Sequence, residues 1–169
     1  AMSDFYQNGI ITTLHNLSNR PVDELEKELL SFAKTRPMSL VLPSLFSELE
    51  GIALPKIIDD LAQVPYLEEI IIGLDRANEE QYRHALSFFS RLPQRVRVLW
   101  NDGPRLQAIN ALLDEHSLAP QEMGKGRNVW FCLGYMLSSG RGKAVALHDC
   151  DILTYDRALL ARLIYPVAN

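Results

Sequence analysis

The sequence predicts an α/β fold, with a mainly parallel sheet that is covered by helices on both faces. Short apolar segments alternate with longer amphipathic segments along the chain, which is the pattern of successive βαβ units. One apolar segment, Glu69 to Leu74, includes the run IIIGL, which is too apolar for a strand with one solvated face. The chain of 169 residues is long enough to bury a sizeable core.

The first part of the chain, residues 1–37, is predicted to be an N-terminal segment that ends in a helix. Ile10 to Leu14 could form a short strand, although turn-forming residues lie on both sides of it. Pro21 opens a helix over 22–34, because the leucines that follow share one face and the first turn is acidic. We expect the main α/β domain to occupy residues 38–169.

The next elements alternate regularly between strand and helix. A short apolar segment predicts a strand at 39–43, and apolar residues at helical spacing predict a helix around 52–63. The strand at 69–74 is followed by a helix over 78–92 with a strong apolar stripe, and then by a strand at 95–100.

The remaining elements continue the same alternation. The sequence Asn-Asp-Gly-Pro at 101–104 is typical of a turn, and it leads into a helix over 106–116. After a polar loop come a helix over 128–137, a short apolar strand at 143–147 and a final helix over 157–164. Parallel strands joined in this way need right-handed crossovers, with helices above and below the sheet.

Charge and composition exclude several classes of function. The net charge of −4 gives no electrostatic reason to expect nucleic acid or an anionic membrane as a partner. No apolar run approaches the roughly 20 residues of a membrane span, and the N-terminus lacks the charged and apolar regions of a signal peptide. The two cysteines, Cys132 and Cys150, are too few for a disulfide framework, and they predict a reducing, cytoplasmic location.

Two carboxylates follow the strand at 143–147, and they are the most informative residues of the chain. Residues two apart in a strand project to the same side, so Asp149 and Asp151 could both reach one divalent cation. Oxygen ligands suit Mg²⁺ or Mn²⁺, and such a cation could neutralise a leaving diphosphate. The alternative is a solvated strand end with Asp151 as the cap of the next helix.

A loop with glycines and basic residues, Gly124-Lys125-Gly126-Arg127-Asn128, opens the helix at 128–137. Glycines allow backbone N–H groups to approach an anion, and the start of a helix favours negative charge. A diphosphate could therefore bind at this loop. The alternative is a flexible basic turn in which Asn128 caps the helix.

Further polar residues follow the other strands, at the edge where parallel α/β sheets bind ligands. Asp75 and Asp102 could contact ribose hydroxyls or a metal, but both also suit a turn or a helix cap. His148 should point away from Asp149, and we expect it to be a hydrogen-bonded structural residue. Arg141 and Lys143 are expected in a solvated turn.

Taken together, these features resemble the nucleotide-binding half of GT-A glycosyltransferases, and within them the retaining glucosyl-3-phosphoglycerate synthase and mannosylglycerate synthase group. The resemblance covers about residues 38–155. It depends on a proline after the first strand, an Asp after the second, the Gly/Lys/Asn loop and a final Asp-x-Asp. It implies a Rossmann-like nucleotide-sugar-binding fold.

The resemblance also implies an activity, which is the transfer of a hexose to a small acceptor such as 3-phosphoglycerate or glycerate. The donor would be a nucleoside diphosphate sugar of the UDP-glucose or GDP-mannose type, with Mg²⁺ or Mn²⁺ as cofactor and a homodimer as the assembly. The implied roles place Pro43, Ser44, Leu45 and Glu48 at the nucleoside, Asp75 at the uridine or its ribose, Gly124, Lys125 and Gly126 at the nucleotide, Asp149 at the sugar or ribose, and Asp151 at the metal.

The chain also departs from the pattern of this group. Phe46-Ser47-Glu48 replaces the usual Asn-Glu-Glu, so base recognition is expected to differ. The chain stops at Asn169, where the group continues into an acceptor-binding half, so we expect a truncated domain and assign no catalytic residue.

Two other functions are open at this point. A haloacid dehalogenase-like phosphatase would use Asp149 as nucleophile and Asp151 as general acid. However, that motif normally ends the first strand, and three strands are predicted before it here. A domain that binds nucleotide without turnover is the non-enzymatic alternative.

Overall fold

The computed structural model describes residues 20–169, in which four strands form one parallel sheet. The strands are β1 (Met38–Leu45), β2 (Leu67–Asp75), β3 (Arg95–Trp100) and β4 (Ala144–Leu147). Their order across the sheet is β3-β2-β1-β4, and every pair is parallel. The predicted α/β class is confirmed. The possible strand at Ile10 to Leu14 lies outside the described residues.

Helices fill the connections between the strands. They are α1 (Val22–Phe32), α2 (Phe46–Leu49), α3 (Ala53–Leu61), α4 (Glu79–Phe89), α5 (Pro104–Glu115), α6 (Lys125–Ser139) and α7 (Arg157–Ala168). All except α2 were predicted; a helix of one turn is too short for an apolar period to appear. α6 begins at Lys125 rather than at the predicted Asn128, because Gly126 is tolerated inside its first turn.

β1 continues to Leu45 rather than ending at the predicted Pro43. β4 accompanies β1 only as far as the pair Val41 and Leu147, and beyond that point β1 pairs only with β2 among the described residues. The missing N–H of Pro43 is tolerated there, because no strand of residues 20–169 lies on its other side. The strand order changes direction between β1 and β4, which makes this gap a topological switch point.

The helices cover the two faces of the sheet unequally. The main core lies between the sheet and α1, α3, α4 and α7. On the opposite face, α6 covers a smaller core, whose buried members are Val41, Ile71, Leu99, Cys132 and Met136. α5 contributes no buried residue, so the described residues cover this face thinly.

The thinly covered face also carries exposed apolar side chains. Leu112 of α5 and Leu137 of α6 are 57% and 74% exposed, and Trp130 is nearly half exposed. Across residues 20–169, none of the helices combines the length and the apolar character that a membrane crossing requires.

α6 is fixed against β2 by the close approach of Gly73 and Asn128. The side-chain amide Nδ2 of Asn128 donates to the carbonyl oxygen of Gly73 at 2.8 Å. A Cβ at position 73 would lie 1.8 Å from Oδ1 of Asn128 and 2.7 Å from Sγ of Cys132, so only glycine fits. This contact places the N-terminus of α6 at the carboxyl end of β2.

Candidate functional site

A pocket of about 260 Å³ lies at the carboxyl ends of β1 and β2, beside the loop that follows β4. It is lined by Pro43, Leu45, Glu48, Asp75, Arg76, Gly124, Lys125, Asn128, Asp149, Cys150 and Asp151. All of the predicted site residues line the pocket except Ser44 and Gly126. Residues from four separate segments therefore meet at the switch point of the sheet, where ligands of α/β proteins bind.

Asp149 and Asp151 lie on the same side of the segment that follows β4. Although β4 ends at Leu147, burial continues to alternate, with His148 and Cys150 buried and the two carboxylates at least partly exposed. Asp151 does not cap α7, as the alternative interpretation required, because the N-cap is Asp156, whose carboxylate accepts from the backbone N–H of Leu159 in the first turn. Among the described residues, Asp151 has no hydrogen-bond partner, so its oxygens are available to a ligand.

Beneath the two carboxylates, His148 and Cys150 are buried without exposed polar atoms. The prediction that His148 is hydrogen-bonded is wrong, because neither ring nitrogen has a partner among residues 20–169. Its ring instead packs edge-on against Tyr155, with the centroids 5.1 Å apart. Burial lowers the pKa of His148 to about 4 and raises the pKa of the Cys150 thiol, so both are neutral near pH 7.

The N-terminus of α6 supplies the positive side of the pocket. Gly124 precedes the helix with a φ of 149°, in the region that favours glycine, and Asn128 is not the helix cap. The first N–H groups of a helix have no partner within the helix and favour an anion. Lys125 forms an ion pair with Asp149. Gly126 does not line the pocket, and a Cβ at that position would meet open space.

Asp75 is buried at the end of β2, and two side chains hold it. Nη2 of Arg127 lies 3.5 Å from Oδ1 of Asp75, and Nδ2 of Asn101 lies 3.4 Å from the same oxygen. The chain turns sharply after Asp75, because Arg76 adopts a left-handed conformation with a φ of 54° and lines the pocket. Neither the position of Arg76 in the pocket nor the pairing of Arg127 with Asp75 was predicted. The only signals in the sequence were a charge directly after a strand for Arg76 and a place in the basic loop for Arg127.

The segment after β1 forms the remaining wall. Oε2 of Glu48 accepts from the backbone N–H of Leu45 at 2.9 Å, which fixes the start of α2. Ser44 is 2% exposed, and its hydroxyl donates to the carbonyl oxygen of Leu45. The resemblance placed Ser44 at the nucleoside, but this side chain does not line the pocket.

Asp102 lies outside the pocket and has a structural contact. Its Oδ2 accepts from the backbone N–H of Ala77 at 3.0 Å, which ties the turn after β3 to the loop after β2. The N-cap of α5 is Gly103. Of the two interpretations of Asp102, the structure favours the turn residue.

Two curated proteins match the chain over nearly its whole length, although no protein-family model matches it. Glucosyl-3-phosphoglycerate synthase from Persephonella marina is 50% identical over 99% of this chain and 42% of its own length. Glucosyl-3-phosphoglycerate synthase from Methanococcoides burtonii is 36% identical over 98% of this chain and 40% of its own length. The chain thus spans about two fifths of the length of the curated relatives it matches.

Solved structures share the fold. Glucosyl-3-phosphoglycerate synthase from Mycobacterium tuberculosis, in complex with Mn²⁺, uridine diphosphate and glucosyl-3-phosphoglycerate, matches with a TM-score of 0.56 and 23% identity. The match covers 85% of this chain and 44% of that one. A structure named only as a mycobacterial protein matches with a TM-score of 0.56 and 25% identity, over 89% of this chain and 42% of that one. The chain is therefore similar to the glucosyl-3-phosphoglycerate synthases over about two fifths of their length, and it shares the α/β fold of their solved structures.

Proposed function

We propose that this chain is the nucleotide-sugar-binding part of a glycosyltransferase that transfers glucose from UDP-glucose to 3-phosphoglycerate. The observation that carries the proposal is the pocket at the switch point. It brings Asp149 and Asp151 opposite Lys125 at the start of α6. Opposite charges placed around one cavity suit a diphosphate with its cation.

Each side of the pocket has a part in this proposal. The diphosphate lies at the N-terminus of α6, where free N–H groups and Lys125 attract it. The nucleoside lies against Pro43, Leu45 and Glu48, with Asp75 as an acceptor for the base or the ribose. Asp149 contacts the sugar or ribose.

A divalent cation, Mn²⁺ or Mg²⁺, fits the carboxylate of Asp151 and the neighbouring oxygens of Asp149. Within residues 20–169, no three or more His, Cys, Asp or Glu side chains are grouped closely enough to hold a metal ion. The protein side of the site is thus incomplete, and the proposal has diphosphate oxygens and water complete the coordination. When bound, the cation would neutralise charge on the departing diphosphate.

The choice of UDP-glucose over GDP-mannose is supported by the relatives. Both curated relatives are named as glucosyl transferring enzymes, and the Mycobacterium tuberculosis enzyme was solved with Mn²⁺ and uridine diphosphate, together with phosphoglyceric acid in a second complex. The proposal carries the donor and the acceptor over to this chain. No residue among 20–169 is assigned to the acceptor.

Two features of the structure support a cytoplasmic location and a homodimer, which are also parts of the proposal. Both cysteines are free and buried, which suits a cytoplasmic location. The exposed apolar side chains Leu112, Trp130 and Leu137 suit a homodimer, which sedimentation equilibrium would detect.

The phosphatase alternative has less support. Asp149 follows the fourth strand of the described residues, whereas the phosphatase motif normally ends the first strand of its fold. Nucleotide binding without turnover would use the same pocket, and an assay of donor hydrolysis distinguishes it from transfer.

Calorimetric titration tests the proposal. UDP-glucose and GDP-mannose are titrated into the chain with Mn²⁺ and with EDTA, and again into Asp151→Ala. We expect metal-dependent binding of UDP-glucose that is at least about tenfold weaker in Asp151→Ala. Asp114→Ala, which removes a carboxylate from α5 outside the pocket, is the matched control. The proposal fails if the folded chain binds neither donor.

A further inference from the structure

Arg127 is a charged side chain that the fold buries beside the pocket. It is the third residue of α6, and only 8% of its side chain is exposed, compared with 4% for its partner Asp75. Burial of a charge is unfavourable unless the charge is paired. The pair is therefore a fixed part of the fold, in contrast to the exposed pair of Lys125 and Asp149.

Arg127 holds Asp75 by one oxygen only. Nη2 of Arg127 and Nδ2 of Asn101 both approach Oδ1 of Asp75, at 3.5 and 3.4 Å. Asn101 is completely buried, and its backbone N–H donates to the carbonyl oxygen of Leu74 at 2.9 Å. Among residues 20–169, Oδ2 of Asp75 accepts no hydrogen bond, and Asp75 lines the pocket.

The backbone on both sides of the pair is fixed as well. Asn128, next to Arg127, donates to the carbonyl oxygen of Gly73, two residues before Asp75. The start of α6 and the end of β2 are thus joined at two successive positions. A carboxylate held at one oxygen between two fixed elements has little freedom to rotate.

We propose that Arg127 is a positioning residue for base recognition, which holds Asp75 so that Oδ2 accepts one hydrogen bond from the nucleotide base. This inference rests on the proposed function. A uracil ring offers a single N–H donor, which a single free carboxylate oxygen can satisfy. Guanine offers two adjacent donors, which pair best with both oxygens of one carboxylate, and Oδ1 already accepts from Arg127 and Asn101. Arg127 would therefore favour a uridine over a guanosine nucleotide.

Calorimetric titrations of UDP, GDP and pyrophosphate, all with Mn²⁺, test this role in the wild-type chain, Arg127→Met and Arg127→Lys. We expect Arg127→Met to weaken UDP binding by about 10- to 100-fold, because a hydrogen bond to a correctly placed carboxylate is lost. Binding of pyrophosphate should change by less than about twofold. The preference for UDP over GDP should fall, and Arg127→Lys should restore part of it, because it keeps the charge.

Two further variants separate positioning from folding. Arg83→Met removes an exposed arginine of α4 outside the pocket and should bind every ligand as the wild type does. Asp75→Asn and Asp75→Asn/Arg127→Met leave no unpaired buried carboxylate. Because Arg127 acts through Asp75, the double variant should bind UDP about as well as Asp75→Asn alone.

Several results would overturn the positioning role. They are UDP binding by Arg127→Met equal to that of the wild type, an equal loss of UDP and pyrophosphate binding, an unchanged preference for UDP over GDP, or additive losses in the double variant. Failure of the wild-type chain to bind UDP or pyrophosphate would overturn the proposed function, and this inference with it.

Discussion

At the scale of single residues, the pairing of Lys125 with Asp149 determines what a ligand meets on entering the pocket. Both side chains are about half exposed, so the pair can open at little cost. Under the proposed function, a bound diphosphate competes with Asp149 for Lys125, which frees the carboxylate for the sugar, the ribose or the cation. The same lysine is thus available both to a phosphate and to the carboxylate.

We expect Lys125→Ala to separate phosphate recognition from nucleoside recognition. UDP should bind about tenfold or more weakly, because a charged donor to phosphate is lost. Uridine, which has no phosphate, should bind with unchanged affinity, and Lys125→Arg should retain most of the affinity for UDP. Calorimetry with both ligands makes the comparison, and an equal loss for uridine and UDP would contradict the assignment.

His148 makes the stability of the fold depend on pH. Burial lowers its pKa from 6.5 to about 4, and the neighbouring Asp149 carboxylate acts in the opposite direction. As the pH falls below 6.5, the unfolded chain takes up a proton that the folded chain does not accept until about pH 4. The contribution of His148 to the free energy of unfolding is therefore fully present above pH 6.5. It falls by about 3 kcal/mol in total as the pH decreases from 6.5 to about 4.

We expect His148→Leu to reduce this loss. Urea unfolding at about pH 7 and about pH 4.5 gives the free energy of unfolding at both ends of the interval. The difference between them should be about 2 kcal/mol smaller in the variant than in the wild type. His116→Gln, which removes an exposed histidine, is the control. An equal pH dependence in His148→Leu and the wild type would show that other groups cause the loss.

At the scale of elements, the contact between α6 and β2 fixes the geometry of the pocket. Gly73 allows the helix to approach closely enough for Asn128 to bond to the strand. The same approach brings Lys125 to the carboxyl ends of the strands and brings Arg127 to Asp75. A change at Gly73 should therefore affect stability and binding together.

We expect Gly73→Ala to destabilise the fold by at least about 2 kcal/mol, because the added methyl group overlaps Asn128 and Cys132. Binding of UDP should weaken as the start of α6 shifts. Gly134→Ala on the same helix is a matched control, because its Cβ meets open space, and it should be neutral or stabilise by up to about 1 kcal/mol. Urea denaturation and calorimetry measure both effects, and equal stabilities of the two variants would refute this account.

The elements show which parts of the site could be predicted from sequence. Side chains two apart in a strand share a side, and parallel strands end at one edge, so the positions of Asp149, Asp151 and Asp75 followed from local pattern. Burial of Arg127 did not, because its partner lies on a distant segment and a Lys-Gly-Arg sequence is typical of a solvated turn. The sequence also could not show that the ring nitrogens of His148 lack hydrogen-bond partners among residues 20–169. Alternation along a strand predicts the direction in which a side chain points, but not the groups that surround it.

At the scale of the whole molecule, residues 20–169 cover one face of the sheet well and the other thinly. The exposed Leu112 and Leu137 belong to the face that α5 and α6 leave incompletely covered. The amino-acid composition, which is typical of globular proteins, does not show that the two faces of the sheet are covered unequally. The prediction that helices cover both faces of the sheet is thus correct, but one face has a much larger core than the other.

The position of β4 beside β1 has a consequence for how the chain folds. β2 joins β1 and β3 joins β2 through successive crossovers, whereas β4, the last strand of residues 20–169, returns to β1, where Val41 pairs with Leu147. Pairing of such distant residues closes a large loop, which is slow because of its entropy. We therefore expect the β1–β2–β3 unit to form first and β4 to dock last. The pocket would then form only at this last step, so nucleotide binding would report completion of folding rather than its onset.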